Sequence, residues 1–472
     1  MIGGRSVRRS LWLLGASLGS LVLAGCGRPT GVERPEPAAG EATRIWEPPG
    51  LDRVWRRLRA GPPFISGLML VDGPPPRGFV DDYFDGFHAT AVHFWEAGLP
   101  RQLADWEESG RRGLRFFSWV DKDGTSRDGG GVLGGIGPNR PGRIGFQIGD
   151  EPGLDGSGFA AVLPFRQGVE AVRRADQDAL VVMNFSVGVR DLGPILDYAG
   201  GTLGIDVFSF DRYNLSKRQY ATLELIRRYA QKYHRPYWRY LYGYRQHARD
   251  RLRPSDLRWD AMTGLVYGFT GFTWFIYQNK SMGIAPAFFD EPGYGGAKSP
   301  LWEAAAGVNR DLAAYLGVTN YLWSTDVRYR ALLPALQPEG TRPWKRGAGG
   351  DPYLADLGPA AEPESEGMEI LAGFFRDDAG EHYVMLQNVR HARGSPPNDS
   401  AEPGVIRVRF DFRGAPPDLD PSRILVFDPA GRRARTQLLV PSGPRGGVAE
   451  LPVAAGDVVL FKYATGRPFP GL

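Results

Sequence analysis

Residues 143–152 of this 472-residue chain read RIGFQIGDEP, and this stretch decides the fold. The alternation of its residues has the two-residue period of a β-strand. One face is bulky and apolar and consists of Ile144, Phe146 and Ile148. Such a face suits packing against helices, so the opposite face, which ends in Glu151, is predicted to point into the interior of a barrel. On the same alternation Asp150 points away from that interior.

Strands of this kind alternate with helical segments through the middle of the chain. Eight strands are predicted, at 64–71, 89–95, 115–120, 143–149, 179–186, 205–210, 236–242 and 271–277. Helical patterns follow at 100–112, 159–175, 216–233, 256–268 and 300–316, the last ending at Gly317. Eight strand–helix units in about 250 residues predict a (β/α)8 TIM barrel. The alternative is a doubly wound sheet, but prolines at 74–76 follow the first strand, where that fold needs a glycine-rich turn.

The sequence changes character towards the C-terminus. Short segments with a two-residue period, separated by turn residues, lie at 368–376, 382–390, 404–412, 423–428, 435–440, 447–453 and 457–463. Seven such strands without helices predict a C-terminal antiparallel β-sandwich. We therefore expect a barrel over 51–333, a linker over 334–366 and a sandwich domain over 367–472.

The N-terminus has the pattern of a secretory signal. Three arginines precede an apolar run over 11–23, which is too short for a stable membrane span, and residues 23–26 read LAGC. These four residues resemble the lipobox of bacterial lipoproteins, which implies lipidation of Cys26 and attachment to the cell envelope. Gly27, by resemblance to Gram-negative sorting, favours the outer membrane. We expect a signal peptide over 1–25 and a flexible tether over 26–50; the alternative is an ordinary cleaved signal.

Composition and charge exclude several classes of protein. Hydrophobic residues make up 42% of the chain and charged residues 23%, unlike a disordered chain or a multi-span membrane protein. Removal of Arg5, Arg8 and Arg9 lowers the Lys and Arg count from 57 to 54, against 53 acidic residues. A nearly neutral chain gives no reason to expect a nucleic-acid partner. The six histidines lack metal-ligand spacing, so we expect no metal and no cofactor; the oligomeric state stays open.

Two acids follow predicted strands at the positions where barrel enzymes carry their reactive groups. Glu151 follows the fourth strand, and Asp211 ends the sixth on the same face as Ser209 and Tyr213. An aromatic, desolvated surrounding would raise the pKa of Glu151, as a general acid requires. Two alternatives are structural: the Asp150–Glu151 pair complements a helix dipole, or Arg212 pairs with an acid of its strand.

Aromatic residues near the strand ends indicate a substrate class. Flat rings with polar edges suit the apolar faces and hydroxyl rims of sugars. The predicted substrate contacts are Asp150, Tyr213, Trp95, Glu96, Trp119, Trp238, Tyr242, Trp274, Tyr277 and Gln278. For each ring taken alone, packing in the core is the alternative.

The region 64–317 resembles the retaining glycoside hydrolase barrels of clan A, including β-galactosidases with a barrel and a sandwich. The resemblance rests on residues 149–152 (GDEP), residues 210–213 (FDRY) and Trp274. It implies that Glu151 is the acid/base and that Trp274 stacks on the sugar. The chain departs from the family in two places: Asp150 replaces an asparagine, and the seventh strand has no glutamate for a nucleophile.

The sequence therefore leaves three hypotheses. The first is a lipid-anchored hydrolase of O-glycosidic bonds in an oligo- or polysaccharide, with Glu151 as acid and Asp211 as nucleophile or base. The second is a carbohydrate-binding lipoprotein on a barrel that has lost its nucleophile. The third is an envelope scaffold that uses the sandwich to bind a protein partner.

Overall fold

The computed structural model describes residues 47–71, 73–94, 99–108, 113–125, 141–189, 191–245, 252–280, 284–394, 397–399 and 402–472. The predicted signal peptide and Cys26 lie outside these residues. Residues Pro48–Leu472 form one compact unit.

Eight parallel strands form a closed barrel in chain order. They are β1 (Phe64–Leu70), β2 (Ala91–Phe94), β3 (Phe116–Val120), β4 (Arg143–Asp150), β5 (Leu180–Ser186), β6 (Val207–Asp211), β7 (Tyr237–Tyr242) and β8 (Gly271–Asn279). Residues at their centres are almost all buried because one face packs on helices and the other fills the barrel. The predicted barrel is confirmed.

The described helices surround the barrel or close one of its ends. They are α1 (Arg53–Ala60), α2 (Leu99–Glu108), α3 (Phe165–Ala175), α4 (Leu192–Tyr198), α5 (Tyr220–Lys232), α6 (Pro254–Tyr267) and α7 (Pro300–Thr319). Helix α7 begins where predicted, with the Ser299 hydroxyl accepting from the Leu301 amide at 3.2 Å. It continues through Gly317 to Thr319, so the predicted stop at Gly317 is wrong. Within the described ranges no helix is long and apolar enough to cross a bilayer.

The C-terminal strands form two antiparallel sheets, which confirms the predicted sandwich. The strands are β9 (Trp323–Arg330), β10 (Leu354–Pro359), β11 (Ile370–Arg376), β12 (His382–Asn388), β13 (Gly404–Asp411), β14 (Arg423–Asp428), β15 (Arg433–Leu438), β16 (Gly446–Val453) and β17 (Val458–Tyr463). One sheet has the order β9-β11-β12-β17-β14-β15, and the other joins β10, β13, β16 and the pair Val440–Pro441.

The boundary between the domains differs from the predicted one. Strand β9, within the predicted barrel segment, pairs with β11 along its whole length. Strand β10, within the predicted linker, pairs with β13. The first sandwich strand therefore follows α7 directly, and the segment 334–366 is part of the domain.

The six-stranded sheet is apolar on both faces. Leu371, Phe375 and Met385 belong to the cluster that fills the barrel region. Their neighbours Ala372, Phe374 and Val384 belong to a second cluster, shared with the four-stranded sheet. The alternation along these strands thus buries one face against the barrel helices and the other inside the sandwich.

Candidate active site at the mouth of the barrel

A break in strand β4 places two consecutive acids at the mouth of the barrel. The pairing of β4 with β5 shifts between Gln147 and Asp150, and Gly149 has a φ of 76°. A side chain at Gly149 would collide with the ring of Phe165, so this conformation requires glycine. Glu151 also has a positive φ, 45°. The irregular backbone turns Asp150 and Glu151 towards the same side.

Asp150 faces the interior of the barrel. Its Oδ1 accepts hydrogen bonds from Asn184 Nδ2 at 2.9 Å and from Gln147 Nε2 at 3.4 Å. The predicted outward orientation of Asp150 is therefore wrong, because simple alternation does not continue past the bulge at Gly149. Its predicted place near a substrate agrees with the inward orientation.

Glu151 and Asp211 form a carboxyl pair that joins β4 to β6. The two side chains lie close enough for each to shift the pKa of the other, and Ser186, at the end of β5, also lowers the pKa of Glu151. Asp211 is 8% exposed, whereas Glu151 is half-buried. The predicted shared face of Ser209 and Asp211 is confirmed by the bond from Ser209 Oγ to Asn184 Oδ1, inside the barrel, at 3.1 Å.

Burial and mutual repulsion decide which member of the pair carries a proton. Burial raises the pKa of Asp211 well above its ordinary value, and the negative charges of Glu151 and Asp150 raise it further. Burial also raises the pKa of Glu151, but hydrogen bonds from Ser186 and Asp211 oppose that shift. Two such close carboxylates cannot both ionise easily. Asp211 therefore holds the proton and donates it to Glu151.

Aromatic rings form one wall beside this pair. Tyr213 stacks against Phe275 with ring centroids 5.0 Å apart, and Tyr244 lies 5.3 Å from Tyr213. Tyr242 contacts Tyr244 at 4.6 Å. The Tyr213 hydroxyl hydrogen-bonds Asp211 and lowers its pKa, against the larger effect of burial. Tyr213 and Tyr242 belong to this wall and their contact with a substrate stays a prediction, whereas the sequence analysis does not single out Phe275 and Tyr244.

A polar chain runs beneath the acids along the barrel axis. The Tyr240 hydroxyl donates to Gln147 Oε1 at 2.7 Å and lies 3.2 Å from His93 Nδ1. Burial lowers the pKa of His93 to about 3, so this imidazole is neutral at physiological pH. Gln147 in turn bonds Asp150. This series of hydrogen-bonded side chains orients Asp150 from the interior of the barrel.

The sequence missed the polar residues of β5, although a signal for them was present. Asn184 and Ser186 alternate with Met183 and Phe185, so their inward orientation follows from the two-residue period. They contact Asp150 and Glu151, respectively.

Several predicted substrate contacts lie away from the mouth. Trp274 packs outside the barrel, where its Nε1 donates to Asn309 of α7 at 2.7 Å. Tyr277 is buried among aromatic rings, and its hydroxyl accepts from Trp302 Nε1 at 3.1 Å. Trp238 stacks on Phe64 at the opposite end of the barrel, with centroids 4.0 Å apart. Packing accounts for these three rings, so their predicted contact with a sugar is wrong.

Of the remaining predicted contacts, two have described positions and two do not. Trp119 is the second-last residue of β3 and is 8% exposed, with its Nε1 3.4 Å from Asp121 Oδ1. Gln278 is fully buried, and its Oε1 accepts from the Gly293 amide at 3.0 Å. Trp95 and Glu96 lie outside the described residues.

Two charged residues that flank β6 have structural partners. Asp206 accepts from the Val181 amide at 2.8 Å and pairs with Arg53 and Arg173, so it anchors the start of the strand. Arg212 donates to Thr222 Oγ1 at 3.2 Å rather than to an acid of its own strand. The structural alternative for Arg212, a salt bridge within β6, is therefore wrong. No group of three metal-binding side chains is found within the described ranges.

No family model matches the chain, and no curated protein matches it. Similar solved structures are glycoside hydrolases. A family 39 glycoside hydrolase from Bacteroides cellulosilyticus WH2 is 12% identical, with 88% of this chain and 82% of that chain covered and a TM-score of 0.43. An α-galactosidase from Saccharomyces cerevisiae is 8% identical, with 87% and 98% covered and a TM-score of 0.42.

A β-galactosidase from Halorubrum lacusprofundi is 11% identical, with a TM-score of 0.39. That match covers 54% of this chain and spans 61% of the β-galactosidase chain. TM-scores below 0.5 do not establish a common function, so the functional argument rests on the geometry of the mouth itself.

Proposed function

We propose that this protein is a glycoside hydrolase that cleaves O-glycosidic bonds of an oligo- or polysaccharide with Asp211 and Glu151. One observation carries the proposal: two neighbouring carboxyl groups share the mouth of the barrel, and burial together with their mutual repulsion raises the pKa of Asp211 well above its ordinary value. Glycoside hydrolysis needs one acid that is protonated and one that is ionised.

The pKa shifts support roles opposite to those implied by the sequence resemblance. Asp211 is the more buried acid and faces two negative charges, so it suits the general acid. Glu151 receives hydrogen bonds that favour its ionised form, so it suits the nucleophile. The second carboxylate, missing from strand β7, is supplied by β6.

The short separation of the two acids favours a retaining mechanism. An inverting pair stands roughly 6.5–9.5 Å apart to admit water, and a retaining pair roughly 5–5.5 Å apart. Glu151 and Asp211 interact directly, so there is no room for a water molecule between them, and this argues against the wide spacing of an inverting pair. In the first step Glu151 bonds to the anomeric carbon while the Asp211 proton passes to the leaving oxygen. In the second, water attacks that carbon, Asp211 accepts the water proton, and Glu151 leaves as a carboxylate.

The aromatic wall supports a sugar as the substrate. Tyr213, Phe275, Tyr242 and Tyr244 supply flat apolar surface and hydroxyl groups beside the acids. Tyr213 and Phe275 are half-buried, with the buried Tyr242 and Tyr244 beside them, and such partly accessible rings suit the faces of a pyranose. The sugar and the linkage are left to a substrate panel.

Substitution of each acid tests the proposal. We expect Asp211→Asn and Glu151→Gln each to lower the turnover of an accepted oligosaccharide by about 10²–10⁴-fold, measured by release of reducing sugar. Glu170→Gln, on the exposed surface of α3, is the matched control and should keep full activity. Unchanged turnover by either active-site variant would contradict its role.

A second experiment separates the two roles. Azide should restore turnover to Glu151→Ala, because a small anion can occupy the space of the missing nucleophile and attack the anomeric carbon. The product would then be a glycosyl azide of inverted anomeric configuration, determined by NMR, because azide displaces the leaving group in one step. Asp211→Ala should give a glycosyl azide of retained configuration, since azide then attacks the bond between Glu151 and the sugar; the opposite pattern would make Asp211 the nucleophile.

A second candidate function is carbohydrate binding without hydrolysis. It is favoured by strand β7, whose described residues bring Tyr240 and Tyr242 to the interior and no carboxylate. A glycan that binds tightly and is recovered intact after long incubation would support it.

We also propose that the mature chain is anchored through a lipid on Cys26, at the outer membrane. The LAGC sequence at 23–26 and Gly27 support this location. Cys26→Ser should move the expressed protein from the membrane fraction to the soluble periplasmic fraction. A variant that stays membrane-bound would contradict the anchor.

A further inference from the structure

A cavity of about 250 Å³ lies at the end of the barrel opposite the mouth. Its walls come from the end of α1 and from the first residues of several strands, with Phe64, Leu180 and Trp238 among them. Three arginines line it, Arg57, Arg115 and Arg143, and no acid is among the lining residues that the structure describes. Drug-sized ligands fill roughly 300–1,000 Å³, so this volume suits a smaller molecule.

The hydrogen bonds of two of these arginines leave their charges in place. Arg57 donates to the carbonyl oxygens of Asp178 and Arg143, and Arg115 donates to that of Thr90 at 3.3 Å. A carbonyl satisfies a donor but does not neutralise a guanidinium. Arg143 lies 3.5 Å from Asp176, which compensates that third charge. The acids that attract Arg57 at longer range, Asp176, Asp178 and Asp206, are not lining residues.

The positive charges repel one another across this end of the barrel. Burial, together with the charge of Arg57, lowers the pKa of Arg115 to about 10. An anion between the two guanidinium groups would reverse that effect, because it would favour their charged forms.

An indole N–H provides a further donor at the same place. Trp238 is 3% exposed, and in the described part of the chain its Nε1 has no hydrogen-bond acceptor. The Nε1 edge lies over Gly271, where an added Cβ would come within 2.7 Å of it. The backbone of Gly271 packs against this edge, and Trp238 is itself a lining residue of the cavity. A buried donor without a partner costs free energy that a bound acceptor would recover.

We propose that this cavity binds a small tetrahedral oxyanion of the phosphate class, either free or as the headgroup of a phospholipid. Arg57 comes from α1 and Arg115 from the residue before β3, so two arginines from separate elements line the cavity, which suits an anion with several oxygens. A planar carboxylate would engage one guanidinium fork and leave the others unused. The site is independent of the hydrolysis proposed for the mouth.

Calorimetric titration of the full chain with potassium phosphate at pH 7 tests the proposal, with potassium chloride at equal ionic strength as the reference. We expect Arg115→Gln to weaken phosphate binding by about tenfold or more. Trp238→Phe keeps the ring stacking and loses the N–H, and should weaken binding by about threefold. Arg115→Lys, which keeps the charge and loses the planar fork, should fall between wild type and Arg115→Gln.

Arg56→Gln is the matched control, because Arg56 is exposed on α1 and is not a lining residue. It removes the same charge from the same end of the barrel and should leave phosphate binding unchanged. Phosphate that binds no better than chloride would overturn the proposal. Equal phosphate affinity in Arg56→Gln and Arg115→Gln would do so as well.

A vesicle experiment separates the two sources of the anion. Sedimentation of the Cys26→Ser protein with phosphatidylglycerol vesicles, against phosphatidylcholine vesicles, measures binding to an anionic headgroup. Loss of that binding in Arg115→Gln would support a phospholipid ligand. Phosphate binding that depends on Arg115, without vesicle binding, would support a soluble phosphate.

Discussion

The two ends of the barrel place different charged groups around their openings, although the same eight strands build both. Among the described residues, the mouth brings together the carboxyl groups of Asp150, Glu151 and Asp211. The opposite end has three arginines around a cavity that Trp238 and Phe64 close from inside. The two-residue period determines which side chains point inward, while the position along the strand determines at which end of the barrel they lie. The face on which a residue lies and its position along the barrel axis must therefore be predicted separately.

The largest expected difference between the two ends is in stability. Trp238 is almost fully buried and stacks on Phe64, so Trp238→Ala should lower the free energy of unfolding by about 3–5 kcal/mol. Glu151→Gln at the mouth should change it by less than about 1 kcal/mol, because Glu151 is half-buried. Urea unfolding of both variants measures the difference. If Trp238→Ala lowered the free energy of unfolding by less than about 1 kcal/mol, the two ends of the barrel would not differ in their contribution to stability.

An intermediate effect is expected in the pH dependence of stability. The pKa of Asp211 is raised in the folded protein, so the folded state binds more protons than the unfolded chain. The contribution is fully present below the unfolded pKa of about 3.9 and is lost as the pH rises through the folded pKa.

The asparagine of Asp211→Asn cannot ionise, so the variant should not lose stability as the pH rises through the pKa of Asp211. Its stability relative to wild type should increase with pH, by about 1.4 kcal/mol for each unit by which the pKa is raised. Urea unfolding between pH 4 and pH 9 measures the trend. A constant difference between the two proteins would show that Asp211 has an ordinary pKa.

The smallest expected effect concerns the tyrosine beside the acid. The Tyr213 hydroxyl lowers the pKa of Asp211, so Tyr213→Phe should raise it. The alkaline limb of the pH–rate profile should then move to higher pH by less than about one unit, since one neutral hydrogen bond contributes about 1 kcal/mol. Tyr242→Phe, which changes a neighbouring ring of the same wall, is the control and should leave the limb in place. A shift to lower pH for Tyr213→Phe would contradict the assignment.

The regular parts of the fold could be predicted from the sequence. Apolar alternation places all eight barrel strands within two residues of their observed ends, because helices cover one face of each strand. The same alternation places Asp211 correctly, since β6 is regular up to its last residue.

The failures have particular physical causes. Asp150 was assigned the wrong face because the bulge at Gly149 changes the phase of β4. Trp274 lies between Thr273, which bonds Ser66 inside the barrel, and Phe275, which reaches the mouth, so its own ring must point outward. Trp238 faces inward but is the second residue of β7, which places it at the far end. For both tryptophans, a position close to a strand end in the sequence was not enough to predict a place at the mouth of the barrel.

The six-stranded sheet makes the two domains inseparable in practice. Its backbone touches the barrel directly: a side chain at Gly373 would collide with the Val266 carbonyl of α6, and one at Gly456 with Ser255 and Trp259. A truncated barrel that ends after α7 would therefore leave apolar helices open to water, and an isolated sandwich would leave Leu371, Phe375 and Met385 open in the same way. Either fragment would tend to self-associate, so the pair must be produced, and must evolve, as one body.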